Sequence, residues 1–224
     1  MKRSLAAFLT VFMLLAVMPA GAVETTGEEE QSNGMRFALA LNIMDETYHA
    51  SEALTRRQLA ECYYNVITNH ADITGFGETI FTDVEADDLS AVTLCYNTGI
   101  MTGTGNGTFS PDEPVTYIQL IKTMVVFLGY ETRAIAEGGY PYGYISVANA
   151  LRLYKDPPET IEAYVTANKV AEMFRLSVDV PLMQRITYGS RDYEVEYGDT
   201  WINVYRDLVK YRGTVKANHM TNLG

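Results

Sequence analysis

A mainly α fold, made of three helix-loop-helix units and a small β-rich C-terminal segment, is what this 224-residue sequence predicts. Three observations predict it. Apolar residues recur at helical spacing in paired segments between Met35 and Val178. A threonine stands at the start of the second segment in each pair, at Thr55, Thr116 and Thr166. After Pro181 the pattern becomes partly alternating and rich in tyrosine and valine, which suggests strands.

The N-terminus has the three parts of a secretory signal: the charged start Met1-Lys2-Arg3, an apolar run from Leu5 to Val17, and a small-residue cleavage site at Ala20-Gly21-Ala22. Residues 1–22 are therefore expected to be a signal peptide. The apolar run is short of the roughly 20 residues a membrane span needs, so no membrane association is expected after its removal. Residues 23–34 (VETTGEEEQSNG) are polar and acidic and read as a flexible lead-in.

The first unit, residues 35–75, contains FALALNI, a loop, and a helix after Thr55 with Leu59, Ala60, Tyr63, Val66 and Ile67 on one face. The second, residues 79–131, opens with Phe81-Thr82-Asp83-Val84. A helix then runs from Leu89 to Thr98, and Gly99 is placed as its left-handed stop. The turn-rich MTGTGNGTFSPDEPV leads to a helix carrying Leu120, Ile121, Met124, Phe127 and Leu128. The third unit, residues 138–182, contains YISVANALRL, a loop, and a helix after Thr166 with Val170, Ala171, Phe174 and Val178. One such pair cannot bury its apolar face alone, so the units are expected to pack on one another. Residues 183–224 form the β-rich segment, with strands expected in ITYGSRDYEVEYG and LVKYRGTVKAN and with Trp201 and Val204 between them. This segment is either a small appendage or the start of a further domain.

The second helices begin Thr55-Arg56-Arg57-Gln58, Thr116-Tyr117-Ile118-Gln119 and Thr166-Ala167-Asn168-Lys169. Threonine with glutamine three residues later is a capping box, which explains the first two starts structurally. Lys169 cannot be the returning acceptor in the third. Arg56 and Arg57 are less easily explained, because cations at a helix N-terminus oppose the macrodipole. Free first-turn amides beside a guanidinium would make an anion pocket suited to a carboxylate. Solvated surface arginines are the plainer alternative.

FTDV, GIMTGTGNGTFSPDEPVT and TRRQLAECYYNVI resemble S-layer homology repeats, and the resemblance covers about residues 35–180. It implies three repeats packed as a helical pseudo-trimer that holds an exported protein to wall polysaccharide. It also implies that the threonine-arginine motif helps bind an acidic, often pyruvylated, glycan in grooves between units. That role transfers to Thr55 and Arg56. Arg57, Asp83, Gly105, Thr116 and Tyr117 complete the candidate ligand-binding set. Tyr117 and Ala167 stand where the arginine is expected in the second and third copies, and the first copy has no FTDV-type opening.

The formal net charge is −11, and loss of Lys2 and Arg3 with the signal would make it two units more negative. Nucleic acid is excluded as a partner, since phosphate binding needs a basic face. The histidines His49, His70 and His219 are scattered without metal-ligand spacing, and no metal or other cofactor is expected. Cys62 and Cys95 lie in apolar helical patterns and fit buried thiols or a disulfide. GTGNGTF lacks the lysine-serine pair of a phosphate loop, and its surroundings lack the ligand order of a calcium-binding EF-hand. No nucleophile-base pair or isolated carboxylate pair stands out, so no enzyme is expected. The sequence thus predicts a secreted cell-surface protein whose partner is a cell-wall secondary polysaccharide or a peptidoglycan-linked glycan, with self-association in a surface layer as a further partner. A purely structural or assembly module is the alternative, and part of a wall-polysaccharide enzyme is a remoter one.

Overall fold

Helices α1 (Asn33–Ala40), α3 (Leu89–Asn97) and α6 (Tyr142–Ala150) end in the same way. In each, one capping residue is followed by a left-handed residue, Asn42, Gly99 or Arg152, with φ of 49°, 75° and 57°. The next residue, Ile43, Ile100 or Leu153, turns back into the core. Gly99 is the residue type that adopts this conformation without cost. The computed structural model describes residues 32–71, 79–188 and 191–209. Residues 1–22, expected as a signal, lie outside them. The expected lead-in is shorter than its reading: Ser32 caps α1 through a 3.1 Å hydrogen bond from the Met35 amide, so Asn33 and Gly34 are helical.

Helices α2 (Arg56–Thr68), α4 (Tyr117–Phe127) and α7 (Ala167–Leu176) follow Thr55, Thr116 and Thr166, all three with nearly the same extended backbone. The amides of Thr55 and Thr116 donate to Gln58 Oε1 (2.9 Å) and Gln119 Oε1 (3.0 Å), the returning half of the capping box. Thr166 makes no side-chain cap, and Lys169 has no returning acceptor to offer.

Just before these helices the chain closes a ring of backbone hydrogen bonds. Leu54 N–H donates to Val165 O (2.9 Å), Val165 N–H to Val115 O (2.9 Å), and Val115 N–H to Leu54 O (2.8 Å). The first helix amides are bonded in the same rotation. Arg56 and Arg57 donate to Glu113 and Pro111, Tyr117 and Ile118 to Ala163 and Ile161, and Ala167 and Asn168 to Glu52 and Ala50. The first two amides of α2, α4 and α7 are therefore satisfied by carbonyls from another pair's loop. The helices pack in the same order, α3 on α2, α6 on α4 and α1 on α7. In the last contact a Cβ on Gly34 would lie 2.7 Å from Glu172 N, so glycine sets how closely α1 approaches.

The core lies at the far ends of the second helices, where Tyr63, Phe127 and Phe174 meet with ring centroids 5.2–6.3 Å apart. Two features were not anticipated. A short helix, α5 (Glu131–Ala136), links the second and third pairs. Trp201 lies in a helix, α8 (Trp201–Arg206), rather than between strands. Its indole is fully buried against Phe127 and Phe174, and Nε1–H donates to Ser177 Oγ at 2.9 Å. Arg206 Nη1–H reaches Asn65 O on α2 at 3.2 Å. Helix α8 is thus part of the core.

The expected strands are partly present. β1 (Pro181–Tyr188) pairs antiparallel with β2 (Arg191–Thr200), so the first strand starts at Pro181 and both precede α8. Met183 N–H donates to Leu128 O (2.9 Å), which docks β1 on the end of α4. Leu208 and Val209, which open the second expected strand stretch, are not in a strand, and its remainder lies outside the described residues. Cys62 and Cys95 are free, buried thiols. No helix among the described residues is long and apolar enough to cross a membrane.

Candidate functional site

The same rotation that links the helix starts creates a groove after each first helix. Each is walled by the loop following that helix and by residues three and six positions beyond a capping threonine. The first is a cavity of about 330 Å³ lined by Arg56, Ile100–Thr104, Gln119, Lys122, Thr123 and Tyr140. Its counterpart at Tyr117, Leu153–Asp156, Lys169, Glu172 and Met173 holds about 70 Å³. The third, more open, holds about 480 Å³ around Asp45, Tyr48, Arg57, Gln58, Glu61 and Asp112.

Arg56 lines the first groove and is 7% exposed. Its Nε–H donates to Phe109 O (2.8 Å) and Nη2–H to Thr102 O (2.7 Å), and its guanidinium carbon lies 4.6 Å from the Phe109 ring centroid. Burial lowers its pKa, while Glu113 and Asp83 act in the opposite sense. A guanidinium stays charged in such a setting, so the groove keeps a fixed positive end. Sequence order gives no hint of these contacts, because the acceptors come from the loop of the next pair.

Asp83 organises that loop. Its Oδ1 and Oδ2 accept from the amides of Phe109 and Ser110, both at 2.8 Å. The Phe109 amide is the main reason its carboxyl is held below the ordinary carboxylate range. Phe109 in turn packs against Phe81, which meets Tyr96 edge-on. Asp83 is therefore one step from Arg56, through Phe109, and does not line the groove.

The other candidates are dispersed. Arg57 pairs with Asp88 at 3.2 Å and with Asp112. Thr55 caps α2 and lines the acidic surface instead. Gly105, with φ of 116°, shapes the exposed GNG turn. Thr116 caps α4. Tyr117 lines the small groove, where its ring meets Tyr154 edge-on at 5.8 Å. Its buried hydroxyl has no hydrogen-bond partner among the described residues. The first-turn amides expected to complete an anion pocket beside Arg56 are not free. Those of Arg56 and Arg57 are bonded to Glu113 and Pro111, and that of Gln58 lies 3.3 Å from Thr55 Oγ1. Positive charge in the groove comes from side chains alone.

Lys122 and Tyr140 line the groove and were missed by the motif. Lys122 lies mid-helix in an apolar run, and Tyr140 falls in the link between pairs. Among the described residues no group of three or more His, Cys, Asp or Glu side chains could hold a metal ion.

An S-layer homology domain matches residues 80–121, which include Asp83, Phe109 and the start of α4. The chain is also similar to the middle cell wall protein of Brevibacillus brevis (strain 47 / JCM 6285 / NBRC 100599), with 26% identity over 147 residues. That alignment covers 64% of this chain and 14% of the relative, so the chain spans a small part of the protein it matches.

Proposed function

We propose that this chain is a non-enzymatic, exported surface protein whose three helix pairs form a pseudo-trimer of S-layer homology repeats and anchor it to an anionic cell-wall polysaccharide, such as a pyruvylated one. The domain match at residues 80–121 and the similarity to a cell wall protein support the surface location. The ring through Leu54, Val115 and Val165 supports the threefold arrangement, because each pair donates to one neighbour and accepts from the other.

The observation that carries the binding reading is the Arg56–Lys122 groove. In a chain of net charge −11, it collects Arg56 and Lys122 with only uncharged residues among the rest of its lining. A carboxylate-bearing sugar placed there meets positive charge in a partly enclosed space, where the attraction exceeds that in bulk water. Thr55 holds the start of α2, and Asp83 holds the loop that accepts from Arg56.

A structural spacer or assembly module is the second reading. It is favoured by one observation: two donor groups of Arg56 already serve protein carbonyls. Sedimentation with purified bacterial cell walls separates the two. Anchoring requires the mature protein to pellet with native walls and to stay in solution with walls stripped of glycan by acid. A protein that pellets with neither is a spacer.

A further inference from the structure

Six residues beyond the capping threonines, the second helices carry Glu61, Lys122 and Glu172. The two glutamates are occupied. Glu61 accepts the Tyr48 hydroxyl at 2.6 Å, and Glu172 pairs with Arg175 at 2.6 Å and Lys155 at 3.5 Å. Lys122 is half-buried in the wall of the Arg56 groove and makes no hydrogen bond or ion pair among the described residues. Of three equivalent positions, one has the opposite charge, and it is the one whose groove carries no acidic side chain.

Arg56 is poorly placed to be the ligand's main partner. Its rigid fork is held by two carbonyls and an aromatic face, whereas an ammonium on a four-carbon stem can follow a ligand. Tyr140 lines the same groove, is 57% exposed, and is braced edge-on by Tyr144 at 6.2 Å. An accessible aromatic ring beside polar groups gives an apolar platform with a wet edge, which suits the C–H face of a pyranose. The other two grooves lack this combination. In the small one Lys155 is tied to Glu172 and Lys169 Nζ–H to Asp156 O, and in the third Arg57 is paired with Asp112 and Asp88 while Asp45 and Glu61 repel a carboxylate.

Resting on the anchoring reading, we propose that Lys122 Nζ pairs with the carboxylate of the wall glycan and that the Tyr140 ring carries the sugar's apolar face. Arg56 is a positioning residue that shapes the groove, and each chain holds a single acidic sugar.

Binding isotherms with native walls, and with walls whose carboxylates have been reduced to alcohols, test this on the full chain. Lys122→Met keeps the stem and removes the charge. It should weaken binding to native walls about tenfold, the scale of one charge-assisted contact, and should equal wild type on carboxyl-reduced walls. Lys122→Arg should retain most of the affinity. Tyr140→Ala should weaken binding to both wall types, and Tyr140→Phe should not. Unchanged melting of each variant shows that folding is not the cause. If wild type binds native walls and Lys122→Met and Tyr140→Ala bind equally well, the assignment is wrong while anchoring stands. A Lys122→Met loss that is the same on both wall types also overturns the ion pair. A wild type that binds no wall removes the anchoring reading and this assignment with it.

Discussion

Arg56 and Asp83 grip the same residue from opposite sides of its peptide groups: Arg56 Nε–H donates to Phe109 O, and Asp83 Oδ1 accepts from Phe109 N–H, both at 2.8 Å. The GNGTFS turn is thereby fixed between a cation from the first helix pair and an anion from the second. Loss of either side chain should loosen the loop that walls the groove.

Arg56→Ala leaves the carbonyls of Phe109 and Thr102 without their donors and removes the cation over the Phe109 ring. The expected cost is about 2–4 kcal/mol of stability, read from urea denaturation. Arg56→Lys should recover less than half of it, because an ammonium cannot reproduce the fork.

Asp83→Asn should cost about 1 kcal/mol at neutral pH. The depressed carboxyl pKa adds stability above the unfolded value of about 3.9, and this is lost as pH falls through that value toward the folded one. The stability gap between wild type and Asp83→Asn should therefore close on acidification below about pH 4. A gap that widens there contradicts the assignment.

Trp201 is the chain's single tryptophan and sits in the shared core. Trp201→Phe should be tolerated best, and Trp201→Ala should cost about 3–5 kcal/mol. Because α8 is part of the shared core, wild-type unfolding followed by tryptophan fluorescence and by far-ultraviolet circular dichroism should coincide. Separate transitions would make the C-terminal segment independent.

Burial pushes both the Cys62 and the Cys95 thiols up in pKa. Thiolate is the reactive form. Alkylating reagents should leave the native protein unmodified and label both thiols once it is unfolded.

The helix pairs were legible because their signals are local: capping threonines, apolar faces, and a glycine stop at Gly99. The groove was not. Arg56 and Lys122 come from different helix pairs and meet only through the backbone ring at Leu54, Val115 and Val165. Loop carbonyls of the neighbouring pair, bonded in the same rotation, consume the first-turn amides that the motif alone leaves open for an anion. Helix α8 was hidden by its tyrosine-rich flanks, although Thr200 followed by Asn203 is a readable cap, with Thr200 N–H donating to Asn203 Oδ1 at 3.1 Å. Asp83 reads equally as a ligand or a turn residue until its two amide partners are seen.

The most direct test of the anchoring site is an amide chemical-shift titration of the protein with soluble fragments of acidic wall glycan. Saturable shifts should cluster at Thr102, Gly103, Thr104, Gln119 and Lys122, with one ligand bound per chain. Shifts confined to the Tyr117–Lys169 groove or to the acidic surface at Asp45 and Glu61, or no saturable shift anywhere, would contradict it.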